Sequence, residues 1–214
     1  MRILVIADIH ANWPALQAVI AQPHDICLCL GDLVDYGLEP APCIGWVRDK
    51  VKYIVRGNHD HGVAQDVRTS GRTGFKYLTG ATRTLTRELV KEDDLRYLSR
   101  LPLSRMVTFD STRYLLVHAT PRDPLDEYAP PDEEFWKRRL QNIEAEVVCV
   151  GHTHIPYVLE VADKLDRDHR RRQVRQLLDR SRGDDAEGAS TGGVSTAAVR
   201  RREGRSSLEA RSAS

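Results

Sequence analysis

The residues of this chain that can do chemistry are gathered into five short clusters, each set directly behind an apolar run. Asp8-Ile9-His10 follows residues 2–7, Gly31-Asp32 follows 25–30, and Gly57-Asn58-His59-Asp60 follows 52–55. His118 closes 113–117, and Gly151-His152-Thr153-His154 closes 146–150. Ligands of open α/β sheets bind at the carboxyl ends of strands, so all five clusters are expected to share one crevice. The D-x-H and H-x-H spacings suit one ion if the backbone there is extended, because residues i and i+2 then project to the same side. Each cluster alone has an ordinary reading. Asp8 can cap a turn, Asn58 can occupy a left-handed position, and His118 can be a satisfied core histidine. Five of the chain's eight histidines lie in these clusters, and that concentration at five strand ends argues for a site.

The intervening segments supply the frame. Asn12 offers an N-cap, with Pro14 in the first turn, for a helix to about residue 22. Residues 40–50 read as a second helix, and strands alternating with helices imply βαβ units and a mainly parallel sheet. Residues 73–101 are helical and punctuated by Gly80. Two strands, 105–109 and 113–117, are joined by a turn at Asp110-Ser111. A polar, proline-rich loop (121–131), a helix (132–142) and strands at 146–150 and 156–161 follow. Beyond 162 the character changes: 163–182 is expected to be a charged helix with a thin apolar stripe, and 183–214, rich in Gly, Ser and Arg, to be disordered.

The 214 residues suffice for one domain plus a tail, with a net charge of +1. Residues 163–214 hold 13 Lys+Arg against 9 Asp+Glu, which leaves 19 against 22 in the part that carries the clusters. That balance gives no reason to expect nucleic acid or an anionic membrane as partner. Acids are interspersed around the arginine runs at 170–172 and 200–202 and no aromatic accompanies them, which weighs against a nucleic-acid arm. No apolar run reaches the ~18 residues of a membrane span. Cys27, Cys29, Cys43 and Cys149 form no C-x-x-C pair, as expected of reduced thiols in a cytoplasmic protein.

The ordered series D-x-H, G-D, G-N-H-D, H and G-H-x-H resembles the signature of the calcineurin-like metallophosphoesterase superfamily. The segments Gly31-Asp32-Leu33-Val34-Asp35-Tyr36-Gly37 and His118-Ala119-Thr120-Pro121-Arg122-Asp123 are similar to its compact bacterial branch related to diadenosine tetraphosphatases and small phosphodiesterases. The resemblance implies a four-layer αββα sandwich of two mixed sheets flanked by helices. It also implies two divalent metal ions, one held by Asp8, His10, Asp32 and His154 and the other by Asp32, Asn58, His118 and His152. Mixed oxygen and nitrogen donors without thiolate suit Mn, with Fe, Zn, Ni, Co or Mg as alternatives. Two such ions orient a phosphoryl group and activate water. The resemblance makes His59 a general acid, oriented by Asp35 or by Asp60. It offers Arg56 as a phosphate contact; from its place on the loop after His118, Arg122 can hold a phosphate or nucleotide, and Tyr36 can stack on a base or line the pocket. Tyr36 stands where the family's serine/threonine phosphatases carry a phosphate-binding arginine, which counts against protein phosphatase activity.

The implied activity is hydrolysis of a phosphomonoester, phosphodiester or phosphoanhydride of a small, nucleotide-like molecule. A non-catalytic interaction module on the same fold is the alternative, against which the complete ligand set speaks. Relatives continue after G-H-x-H with an Asn-Pro-Gly-Ser turn and further strands. Residues 163–214 lack that turn, as a truncated or frameshifted gene would, so the last strands are expected to be missing and a sheet edge exposed.

Overall fold

The computed structural model describes residues 1–69, 71–162, 171–176 and 195–199. Among them β1 (Ile3–Ala7), β2 (Ile26–Cys29) and β3 (Tyr53–Ile54) pair in parallel, separated by α1 (Trp13–Ile20) and α2 (Pro40–Lys50). Asn12 caps α1 by accepting the amide of Ala15 at 3.1 Å, and Pro40 opens α2 where no intrahelical donor is needed. A short α3 (Asn58–Ala64), not foreseen from the pattern, starts at the cluster residue Asn58. Then come α4 (Gly74–Leu89), which runs through Gly80 unbroken, and α5 (Glu92–Arg100).

Two antiparallel strands, β4 (Ser104–Phe109) and β5 (Thr112–Val117), turn at Asp110 and Ser111, both at positive φ (48° and 64°). That conformation matches the twist of a two-residue hairpin. The next elements are α6 (Glu133–Arg139), capped by the Asp132 carboxylate, and the strands β6 (Val147–Val150) and β7 (Tyr157–Ala162).

The carboxyl-terminal segment corrects two expectations. Arg171–Gln176 is a strand, β8, inserted parallel to β6 and antiparallel to β7, where a charged helix was expected. Ser195–Val199 is β9, antiparallel to β1, in the stretch expected to be disordered. Both segments satisfy backbone groups that open edges of β6 and β1 would leave unpaired, and this pairing outweighs weak local propensity. The rest of the 163–214 expectations lies outside the described residues.

The two mixed sheets run β3-β2-β1-β9 and β4-β5-β6-β8-β7. Ile3, Val5, Leu28, Leu30, Leu116 and Cys149 fill the space between them. On the outer face of the first sheet, Ile6, Leu16, Ile44, Val47 and Leu98 pack it against helices. On the outer face of the second, Val117, Val148 and Val150 meet Trp136 of α6. This is the four-layer αββα sandwich. Truncating a fully buried residue such as Leu116 costs about 2–5 kcal/mol. Trp136 is buried and donates to the carbonyl of Pro130 at 3.1 Å, so it is a packing residue. All four cysteines are buried and free.

Candidate metal centre

The clusters sit just beyond β1, β2, β3, β5 and β6, so both sheets supply residues to one crevice. Its backbone is not extended. Asp8, His10, Asp32, Asp35, Tyr36, His152 and His154 all take positive φ, between 48° and 72°. Side chains at i and i+2 therefore converge through tight turns, and strain gathers where the site is built. The loops after β1 and β2 hold each other, with His10 N–H donating to Asp32 O (2.9 Å) and Ala11 N–H to Leu33 O (2.8 Å). Gly31, at φ 93°, lies so close to Gly57 that a Cβ would overlap its backbone nitrogen.

Three overlapping groups of potential ligand atoms, each within 4.8 Å of one another, result: Asp8/His10/His154, His10/Asp32/His59 and Asp32/His118/His152. The Nε2 atoms of His10 and His154 face each other at 3.2 Å, and His154 Nε2 lies 3.7 Å from Asp8. His118 Nε2 stands 3.2 Å from Asp32 Oδ2 and 3.1 Å from Asn58 Oδ1. His10 and His118 each direct Nδ1 at a backbone carbonyl, Val34 O (3.0 Å) and Leu30 O (2.8 Å). Such anchoring fixes the ring and aims Nε2 at the centre, as metal-binding histidines require. His152 Nε2 instead meets Asp126 O at 3.2 Å, leaving Nδ1 for the centre. All seven residues named from the sequence as ligands are brought together.

Electrostatics agree. Burial pushes His10 down to about 3, and burial followed by the His118 charge pushes His152 down to about 4, so both rings are neutral, the form that binds metal. Burial opposes charge on His118, but Asp32 outweighs it and raises the ring to about 9. Asp32 is itself held well below the usual carboxylate range: burial works against its charge, and His118 followed by His59 outweigh burial. A buried carboxylate whose charge is offset by the neighbouring rings of His118 and His59, amid convergent N and O donors, fits a divalent cation.

His59 is held at both ring nitrogens. Nδ1 lies 2.7 Å from Asp35 Oδ2, and Nε2 lies 3.2 Å from the Tyr36 hydroxyl. Thr79 gives its only hydroxyl proton to Phe75 O (2.8 Å), so it accepts from Tyr36 (3.1 Å), and the Tyr36 oxygen accepts from His59. Both His59 nitrogens therefore donate, as a proton donor must. Burial lowers this ring's pKa, but Asp32 and Asp35 together raise it.

One role expected from the sequence changes. Asp60 does not orient His59: its carboxylate accepts the amides of Asp32 (2.8 Å), Leu33 (2.8 Å) and Gly57 (3.0 Å) and so ties the β2 and β3 loops together. Arg56 Nη1 donates to Ser99 O (3.2 Å) at the end of α5, and its buried Nε has no hydrogen-bond partner among the described residues. Arg122 is exposed on the loop after His118. Sequence reasoning missed Arg83, whose guanidinium holds Asp35, whereas Tyr128, on the loop after His118 expected to border the cleft, has its ring 4.5 Å from His152. Arg83 carries no local signal, since α4 reaches the site only through the fold.

Known proteins agree with this geometry. The family model for calcineurin-like phosphoesterases matches residues 1–182. An uncharacterized protein of Methanocaldococcus jannaschii is 35% identical over 167 residues, 73% of this chain and 63% of that protein. Serine/threonine-protein phosphatase 1 of Salmonella typhimurium is 27% identical over 124 residues, 54% of this chain and 57% of that one. The chain thus spans less than two thirds of either relative. Among solved structures, a metallophosphoesterase from Sphaerobacter thermophilus superposes with a TM-score of 0.67 at 26% identity, covering 94% of this chain and 89% of that one. A hypothetical protein of Pyrococcus horikoshii shares the fold, with a TM-score of 0.64 at 20% identity and the same coverage. With candidate metal-binding residues at its strand ends, its two-sheet sandwich and a family match over most of its length, the chain belongs to the calcineurin-like phosphoesterase family.

Proposed function

We propose that this protein hydrolyses phosphate esters or anhydrides of small, nucleotide-like molecules at a centre of two divalent ions, manganese first among them. One ion is held by Asp8, His10, Asp32 and His154, and the other by Asp32, Asn58, His118 and His152. The observation that carries this reading is the overlap of the ligand groups, with Asp32 common to two of them. When bound, such ions polarise the phosphoryl group and make water nucleophilic near neutral pH. The protein's own residues do the rest. His59 faces the same crevice, and its Nε2–H, parked on Tyr36, is placed to protonate a leaving-group oxygen. Asp35 orients that ring. Arg122, exposed on the bordering loop, is a candidate to bind phosphate by a charge-assisted bond. Tyr36, engaged with His59 and Thr79, supplies no cationic phosphate contact, which favours small substrates over phosphoproteins. The buried free thiols suit a reducing, cytoplasmic setting.

The test incubates purified protein and Mn²⁺ with an aryl phosphomonoester, an aryl phosphodiester and a dinucleoside polyphosphate, beside Asp32→Asn. Turnover of at least one substrate, lowered on the order of 10²-fold or more in the variant, is expected. Equal rates in the two proteins refute the reading.

A further inference from the structure

Helix α4 is built inside out. It buries Thr79, Arg83 and Thr86 while Phe75, Leu78, Leu85 and Leu89 face solvent at 39–56% exposure. Burying an arginine is costly unless its charge is met and its donors are used. Arg83 meets both conditions. Nε lies 2.9 and 3.1 Å from the two oxygens of Asp35, Nη2 lies 2.5 Å from Oδ2, and Nη1 donates to Val67 O at 3.0 Å. Asp35 is fully buried, and its Oδ2 also takes Nδ1 of His59.

The opposing helix is shaped to receive this side chain. Gly62, one turn after His59 on α3, leaves the space that the Arg83 guanidinium fills, and a Cβ there would overlap Nη1. Thr79, one turn before Arg83 on α4, takes the Tyr36 hydroxyl that meets His59 Nε2. Both edges of the His59 ring are thus steadied from α4, through Asp35 on one side and Tyr36 on the other. This arrangement gives α4 a reason to bury polar residues.

We propose that Arg83 is the positioning residue for the proton donor of this centre: by clamping both oxygens of Asp35 and lying across Gly62, it fixes the plane in which His59 points at the leaving group. The assignment rests on the hydrolytic reading above. Arg83 is buried with its donors spent on Asp35 and Val67, so on this assignment its removal reaches the reaction through Asp35 and His59. Proton donation matters most when the leaving group is a poor one, an alkoxide, and least when it is p-nitrophenolate, which departs unaided.

The experiment compares kcat/KM of the manganese-loaded full-length protein on p-nitrophenyl phosphate and on an alkyl phosphate of similar size. Arg83→Ala, Arg83→Lys and Gly62→Ala are measured against wild type, with metal content and thermal melting recorded for each. Arg83→Ala is expected to slow the alkyl ester on the order of 10–100-fold and the nitrophenyl ester by less than about 3-fold. Arg83→Lys, which keeps the charge but lacks the two-oxygen fork, is expected to fall between, and Gly62→Ala to follow Arg83→Ala. If Arg83→Ala does not fold, the other two variants decide by the same ratio. Equal losses on both esters, or no loss, overturn the assignment. Where the wild type turns over only phosphodiesters, the same ratio is read on a nitrophenyl and an alkyl diester; a wild-type protein that turns over neither these nor the dinucleoside polyphosphate refutes instead the hydrolytic reading on which the assignment rests.

Discussion

Replacing Asp60 separates a structural carboxylate from a catalytic one. Its side chain is fully buried and accepts three backbone amides, from Asp32, Leu33 and Gly57, at 2.8–3.0 Å. Asp60→Ala leaves those donors buried without partners, and each such loss costs about 1–3 kcal/mol. Relief of repulsion with Asp32, whose charge together with burial raises the Asp60 carboxyl, offsets part of the sum. A net destabilisation of about 3–6 kcal/mol is expected, a large fraction of a total of roughly 5–15 kcal/mol. Asp60→Asn is milder. Its amide oxygen can serve Asp32 and Gly57 from the Oδ2 position while its NH₂ faces the Leu33 donor, so one bond is lost at about 1–3 kcal/mol. Urea unfolding of the metal-free protein, followed by tryptophan fluorescence and circular dichroism, measures both without interference from metal binding. If Asp60→Ala costs less than about 1 kcal/mol, the three bonds are not holding the loops and the argument fails.

Three further outcomes follow from the same geometry. Metal uptake should release about one proton at pH 7, because His118 is held up to about 9 by Asp32 in the metal-free protein and must lose that proton to bind an ion. Titration calorimetry in buffers of different ionisation enthalpy would show this, and affinity should rise with pH until about 9. The stability of the metal-free protein should run the opposite way: the raised His118 pKa contributes fully below the unfolded value near 6.5, and the contribution fades as pH rises through about 9, as denaturation at several pH values would show. Gly31→Ala should lower stability by at least about 2 kcal/mol in the same urea assay, since φ of 93° and the Gly57 backbone both exclude a Cβ.

The sequence alone gathered the candidate centre. Donor type and strand-end placement are local properties, so the seven residues proposed as ligands, and His59, could be singled out from short clusters following apolar runs, and the fold brings them into one crevice. The pairing of Asp35 with His59 was implied by resemblance, and the fold brings the two to 2.7 Å. Tertiary structure decided what local pattern cannot encode. Whether Asp60 orients a ring or binds amides depends on loops 27 and 28 residues away in sequence. Arg171–Gln176 and Ser195–Val199 became strands because β6 and β1 offer them backbone partners, which local propensity does not register. Arg83 stands 48 residues from Asp35 on a helix whose outward face is the apolar one. Hydrophobic periodicity would turn that face inward, but the buried charge of Asp35 overrode it.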